Sequence, residues 1–150
     1  MKKLAAAALV AFVAVSLPAP APAGPAETQQ AQSSQGRQIV AFGQWMGELQ
    51  QTYRTATEAL YKLDRAEILI DDYLYQDVSE QVMRREVSSA LNESRALLDT
   101  TRSRLRDLPP LSAEVPRDFQ RIAKASRDSV RGLIGTLEQH AELVAKLEQA

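Results

Sequence analysis

Apolar residues recur along most of this chain at alternating steps of three and four, the spacing that lines one face of a helix. The first series runs Ile39, Phe42, Met46, Leu49, Tyr53, Ala56, Leu60 and Leu63, then continues less cleanly through Ala66, Ile70, Tyr73 and Leu74. A second runs Val87, Leu91, Ser94, Leu98, Thr101, Leu105 and Leu108. The third carries Phe119, Ala123, Ser126, Val130, Leu133, Leu137, His140, Val144 and Leu147. No stretch alternates polar and apolar with the period of two that a half-buried strand needs. The pattern predicts an all-α chain.

Its breaks are few. After Gly47 neither glycine nor proline occurs until Pro109. Within that long gap, "DDYLYQDVSEQV" is the best place for a turn, with Asp77 as N-cap of a second helix and Glu80 completing a capping box. The break at "LPPLSAEVP" is firmer, because adjacent prolines remove backbone donors and push Leu108 out of helical geometry. Ser112 suits an N-cap there, and Pro116 suits the first turn of the last helix. Three amphipathic helices with short connections predict an antiparallel, coiled-coil-like three-helix bundle over residues 38–150. The alternative is a continuous helix from 38 to 108 with the last helix folded back, a long hairpin whose open seam would require a dimer.

The start of the chain has a different composition. "MKK" is followed by an uncharged apolar run, Leu4–Leu17, and then by "PAPAPAGPAE". This is the layout of a secretory signal. The run is too short to span a bilayer, which takes ~20 residues. Cleavage is expected after Ala23, with Ala26 second, so residues 1–23 form the signal peptide. Residues 24–37, "GPAETQQAQSSQGR", are polar and unpatterned and are expected to form a flexible leader. The mature chain is then periplasmic or secreted, without an integral membrane segment. The absence of cysteine rules out disulfides, thiolate-held zinc and a lipid anchor.

Charge narrows the partners. Cleavage removes Lys2 and Lys3 and no acid, taking the formal charge from −1 to −3. A mildly acidic chain is a poor ligand for nucleic acid, where affinity comes mainly from phosphate neutralisation. The charge is also unevenly spread. Residues 58–80 hold seven acids against Lys62 and Arg65, while residues 99–131 hold eight basic residues against five acids. Arg102, Arg104, Arg106, Arg117 and Arg121 flank the proline turn and are the candidate contacts for an anion or a partner.

Candidate chemistry is sparse. His140 is the only histidine and lies on the third seam. Counting back along both helices from Pro109 puts it level with Val78, Val82 and Met83, near Tyr73, Tyr75 and Asp77. Met83 with His140 resembles the Met–His pair that holds haem in four-helix b-type cytochromes. A small-ligand or haem carrier using this end of the bundle is therefore the alternative function. A seam histidine hydrogen-bonded to a neighbour is the preferred reading, because the fourth helix that encloses haem is missing. Metal binding is not expected, since Glu138 and Glu142 lie at i−2 and i+2, on other faces of the helix. No Ser–His–acid set, glycine-rich phosphate loop or HExxH occurs, so neither an enzyme nor a cofactor is expected. Ser94, Thr101 and Ser126 on the seams are expected to bond to backbone carbonyls of the preceding turn.

The export signal and helical seams together resemble, in layout, the small chaperones and stress adaptors of the bacterial envelope. The repeated Leu-Thr-x-x-Gln motif of one such group and the strongly basic charge of another are missing, so the resemblance assigns no residue. Regular seams, the export signal and the absence of catalytic chemistry together point to an exported helical bundle that acts by protein–protein contact on an envelope protein, with a homodimer as the other assembly.

Overall fold

A computed structural model describes residues 25–75 and 77–149, with side chains from Ser34 onward. The signal sequence expected over residues 1–23 lies outside the described residues. Among the described residues three helices follow one another: α1 (Pro25–Leu74), α2 (Glu80–Asp107) and α3 (Arg117–Gln149). They pack as a helical bundle. No helix among the described residues is long and apolar enough to cross a membrane.

Helix α1 is the longest of the three and starts well before Gln38, so most of the stretch expected as a flexible leader is helical. Pro25 stands at the first helical position, where its missing N–H has no partner to lose. The Ala, Gln and Glu residues that follow are good helix formers. The apolar seam still begins only near Ile39, which is half exposed.

The continuous 38–108 helix does not form, because α1 ends at Leu74 and the chain turns before α2 begins at Glu80. Two backbone bonds close α1, Tyr75 N to Asp71 O and Asp77 N to Asp72 O. The N-cap of α2 is Ser79, not Asp77: its hydroxyl accepts from Val82 N at 3.4 Å, and its backbone is extended. Asp77 lies instead in the turn, its backbone N–H donating to Asp72 O. The second connection differs from expectation in the same way. Ser112 does not cap α3; its hydroxyl accepts from Glu114 N inside a turn, and α3 begins only at Arg117. Gln120 ties the turn to the helix by donating to the carbonyls of Val115 and Ala113.

Cross-helix contacts give the order of packing. Thr55 of α1 meets Arg104 of α2, Ala59 meets Ser94, Lys62 meets Glu93 and Arg65 meets Glu86. Numbers rise along α1 as they fall along α2. Between α2 and α3, Leu105 meets Arg127, Arg102 meets Glu138, and Ser88 meets Glu148. Between α1 and α3, Phe42 stacks on Phe119 with ring centres 4.7 Å apart, and Glu67 meets His140. At the α1–α2 seam, hydrogen bonds from Lys62 and then Ser89 hold the Glu93 carboxyl below the usual carboxylate range.

Every member of the second predicted series is buried in the core: Val87, Leu91, Ser94, Leu98, Thr101, Leu105 and Leu108. Helix α1 departs from its predicted seam. Its deepest stripe is Trp45, Leu49, Thr52, Ala56, Ala59, Leu63, Ala66 and Ile70, while Phe42, Met46, Tyr53 and Leu60 pack beside it half buried. A helix touching two neighbours buries a wider face than one seam. The stripe that meets α2 is rich in small residues, which a search for large apolar ones passes over. Thr101 donates to Leu97 O in its own helix as expected, whereas Ser94 donates across to Ala59 O.

Candidate interaction groove between α2 and α3

The basic segments on either side of the proline connection come together as a groove. Arg102 and Arg106 stand one turn apart on α2, and Arg127 and Arg131 stand one turn apart on α3, so each pair shares a helix face. Leu105 and Ile134 supply the apolar surface between them, in an open depression of about 430 Å³. Gly135 and Glu138 complete its α3 wall.

The ion pairs around these arginines are exposed. Arg102 pairs with Asp99 and with Glu138, Arg106 with Asp107, and Arg131 with Asp128. Pairs of this kind contribute about 0–1 kcal/mol, so an incoming anion can exchange with them at little cost. Arg127 is held differently. Its Nη2 donates to Leu105 O at 3.0 Å, satisfying a carbonyl in the last turn of α2 that has no partner within the helix. Its Nε is buried and has no hydrogen-bond partner among the described residues.

Of the five arginines singled out from sequence, Arg102 and Arg106 line this groove. Arg104 points to the other side of α2, where Nη1 donates to the Thr55 hydroxyl at 3.3 Å beside a second depression bounded by Glu48 and Asp107. Arg117 and Arg121 are exposed on the first turns of α3, Arg121 paired with Asp118. Sequence reasoning did not select Arg127 and Arg131 as contacts. The signal that could have found them is the matching i,i+4 arginine pair on each helix flanking one connection.

The His140 end is arranged differently from the count along the helices. Nε2 of His140 lies 2.8 Å from Oε1 of Glu67 on α1, and the imidazole is largely covered. Arg84 and Ser88 of α2 meet Glu148, which lies about two turns beyond His140 along α3. The structure therefore does not bring Met83 and His140 level. The connection is not a tight reversal at Pro109: α3 starts beyond the end of α2, beside Phe42. Leu105 therefore meets Arg127 where equal counting gives Ala113, and Ser88 meets Glu148 where it gives Val130, a register shift of about four to five turns. Met83 is buried in the core, Tyr73 packs against it half buried, and Tyr75 is exposed. Among the described residues no three His, Asp or Glu side chains converge as a metal site would require.

Replacing His140 by Leu should change stability by no more than about 1 kcal/mol in either direction, because it removes one partly exposed hydrogen bond and extends the apolar seam at similar volume. His140→Asp should cost about 1–3 kcal/mol, because a second carboxylate then faces Glu67. Urea unfolding of both variants checks this; a large loss in the Leu variant would mean the imidazole serves more than Glu67.

Comparison with known proteins finds no matching family, no similar curated protein and no similar solved structure.

Proposed function

We propose that this chain is an exported, non-enzymatic helical bundle that works by protein–protein contact in the cell envelope. In this reading a signal peptide is removed after Ala23 or Ala26, and three helices pack up, down and up in antiparallel order. The falling and rising contact numbers between α1, α2 and α3 support that order. Export rests on the charged start, the short apolar run and the small residues that follow.

The observation that carries the reading is the α2–α3 groove. It is open, floored by Leu105 and Ile134, and walled by four guanidinium groups. Arginines around an apolar floor suit recognition, where planar guanidinium forks grip carboxylates. An open channel of this shape fits a segment of another protein better than an enclosed small molecule.

Fractionation with mass spectrometry should find the chain outside the cytoplasm, beginning at Gly24 or Glu27. A chain that keeps Met1 in the cytoplasm overturns export. A photo-crosslinking residue at Gly135, where a side chain would meet open space, should yield protein adducts in intact cells. The same residue at exposed Asn92, on α2 outside the groove, is the control. Equal or absent adducts at both positions overturn the groove as the contact surface.

A further inference from the structure

The groove has a counterpart on the same molecule. Tyr61, Ile68 and Tyr75 recur at a heptad interval, so they share one side of α1 and its end. They are 74%, 59% and 79% exposed, respectively. Asp64 and Asp71 border this apolar ridge on one side, and Glu58 and Asp72 on the other. Arg65 also lies along it, turned toward Glu86 at 3.8 Å. The ridge is thus a helix surface with large apolar residues in the middle and carboxylates at its margins. The groove offers the complement, with aliphatic residues on the floor and arginines on both walls.

We propose that the occupant of the groove is the α1 ridge of a second copy of this chain. The inference rests on the interaction reading above and names the partner. Three observations favour it. The charges are complementary, since Glu58, Asp64, Asp71 and Asp72 border the ridge against Arg65 alone, and the groove presents four arginines, three of them in exposed and exchangeable pairs with Asp99, Asp107, Asp128 and Glu138. The shapes match, since a helix ridge packs into the furrow between two helices. The third observation is the pair of glycines on α3. Gly132 and Gly135 weaken the helix that contains them. Among the described residues, nothing beyond their own helix backbone and chain neighbours comes within 4 Å of where a Cβ would stand on either, so the packing of those residues makes no use of them. A helix laid along the groove does, because its surface can approach the bare α3 backbone at Gly135.

The two surfaces lie on different sides of the bundle, the ridge facing away from α2 and α3. Joining them is therefore head-to-tail rather than two-fold, and each added copy leaves a free groove at one end and a free ridge at the other. Copies accumulate in series.

Sedimentation equilibrium of the chain, purified in the form that accumulates in the producing cell, tests this. The weight-average mass of the wild type should rise past that of a dimer with concentration, and fall as salt screens the charges. A groove variant, R106E/R131E, and a ridge variant, Y61S/I68S, should each stay monomeric; R106Q/R131Q serves as the milder groove variant. Mixing a groove variant with the ridge variant leaves one intact groove and one intact ridge, so the mixture should form a one-to-one dimer and nothing larger. A monomeric wild type, variants that associate as wild type does, or a mixture that stays monomeric overturns the proposal. If the wild type is monomeric while Gly135 still crosslinks to a different envelope protein, self-association fails and the interaction reading stands. Loss of both fails both.

Discussion

Replacing Trp45 by Ala should lower the unfolding free energy by about 3–5 kcal/mol, the usual cost of truncating a buried indole. Trp45 is the only tryptophan and is buried in the core. It stands where three parts of the chain meet. Its neighbours along α1 continue the stripe that packs on α2, Phe42 one turn earlier stacks on Phe119 of α3, and its indole N–H donates to Pro109 O at 2.8 Å. That last bond pins the proline connection to α1. Trp45→Phe separates the contributions, keeping much of the apolar area while leaving the carbonyl of Pro109 without this donor, for about 1 kcal/mol. Because these variants lose the tryptophan signal, far-ultraviolet circular dichroism in urea is the suitable measurement. A loss below about 1 kcal/mol for Trp45→Ala would mean that the connection is held by Leu108 and Val115 without the indole.

Sequence pattern carries much of this fold because a helix repeats its environment at every turn. Helix α2 is the clearest case: it is wedged between two neighbours along its whole length, and its seam from Val87 to Leu108 is buried without exception. Helix α1 is less legible. Its buried stripe includes Thr52, Ala56, Ala59 and Ala66, residues whose types are also common on exposed helix surfaces. Only their depth distinguishes them, and depth is a property of the assembled bundle. Trp45 escapes the pattern because it falls one position before Met46 in the three-four series, on the edge between two seams.

Register between helices is the least legible quantity. Equal counting from Pro109 assumes that the chain reverses at one point. Residues 108–116 instead carry the chain past the end of α2, and α3 begins beside Phe42. A shift by whole turns along the bundle axis leaves every seam position facing inward, so no pattern of apolar residues reports it. It does change which side chains meet: His140 faces Glu67, and Ser88 faces Glu148. The arginine groove is half legible for the same reason. The basic bias around the connection is a matter of composition, but the pairing of Arg102 and Arg106 with Arg127 and Arg131 depends on that offset.

Ala59→Leu should destabilise the protein by about 3 kcal/mol, and the reason is the closeness of α1 and α2. Ala56, Ala59, Leu63 and Ala66 have no exposed surface, and the Ser94 hydroxyl reaches across from α2 to donate to Ala59 O at 3.1 Å. A hydroxyl on so short a side chain can bond to a backbone carbonyl of another helix only where the two backbones are near. Leucine at position 59 adds three carbons to that contact. Overpacking of this kind costs about 1–3 kcal/mol, and separating the helices also breaks the Ser94 bond, worth about 1 kcal/mol. Ser94→Ala alone should cost no more than about 1 kcal/mol, because Ala59 O still accepts the bond within its own helix. In the double variant A59L/S94A the two costs should fall short of their sum, since leucine has already broken the bond that alanine removes. Urea midpoints for the four proteins give all three differences. Stability unchanged or raised in Ala59→Leu would mean that α1 and α2 have room between them, and that the small residues of α1 are not what sets their spacing.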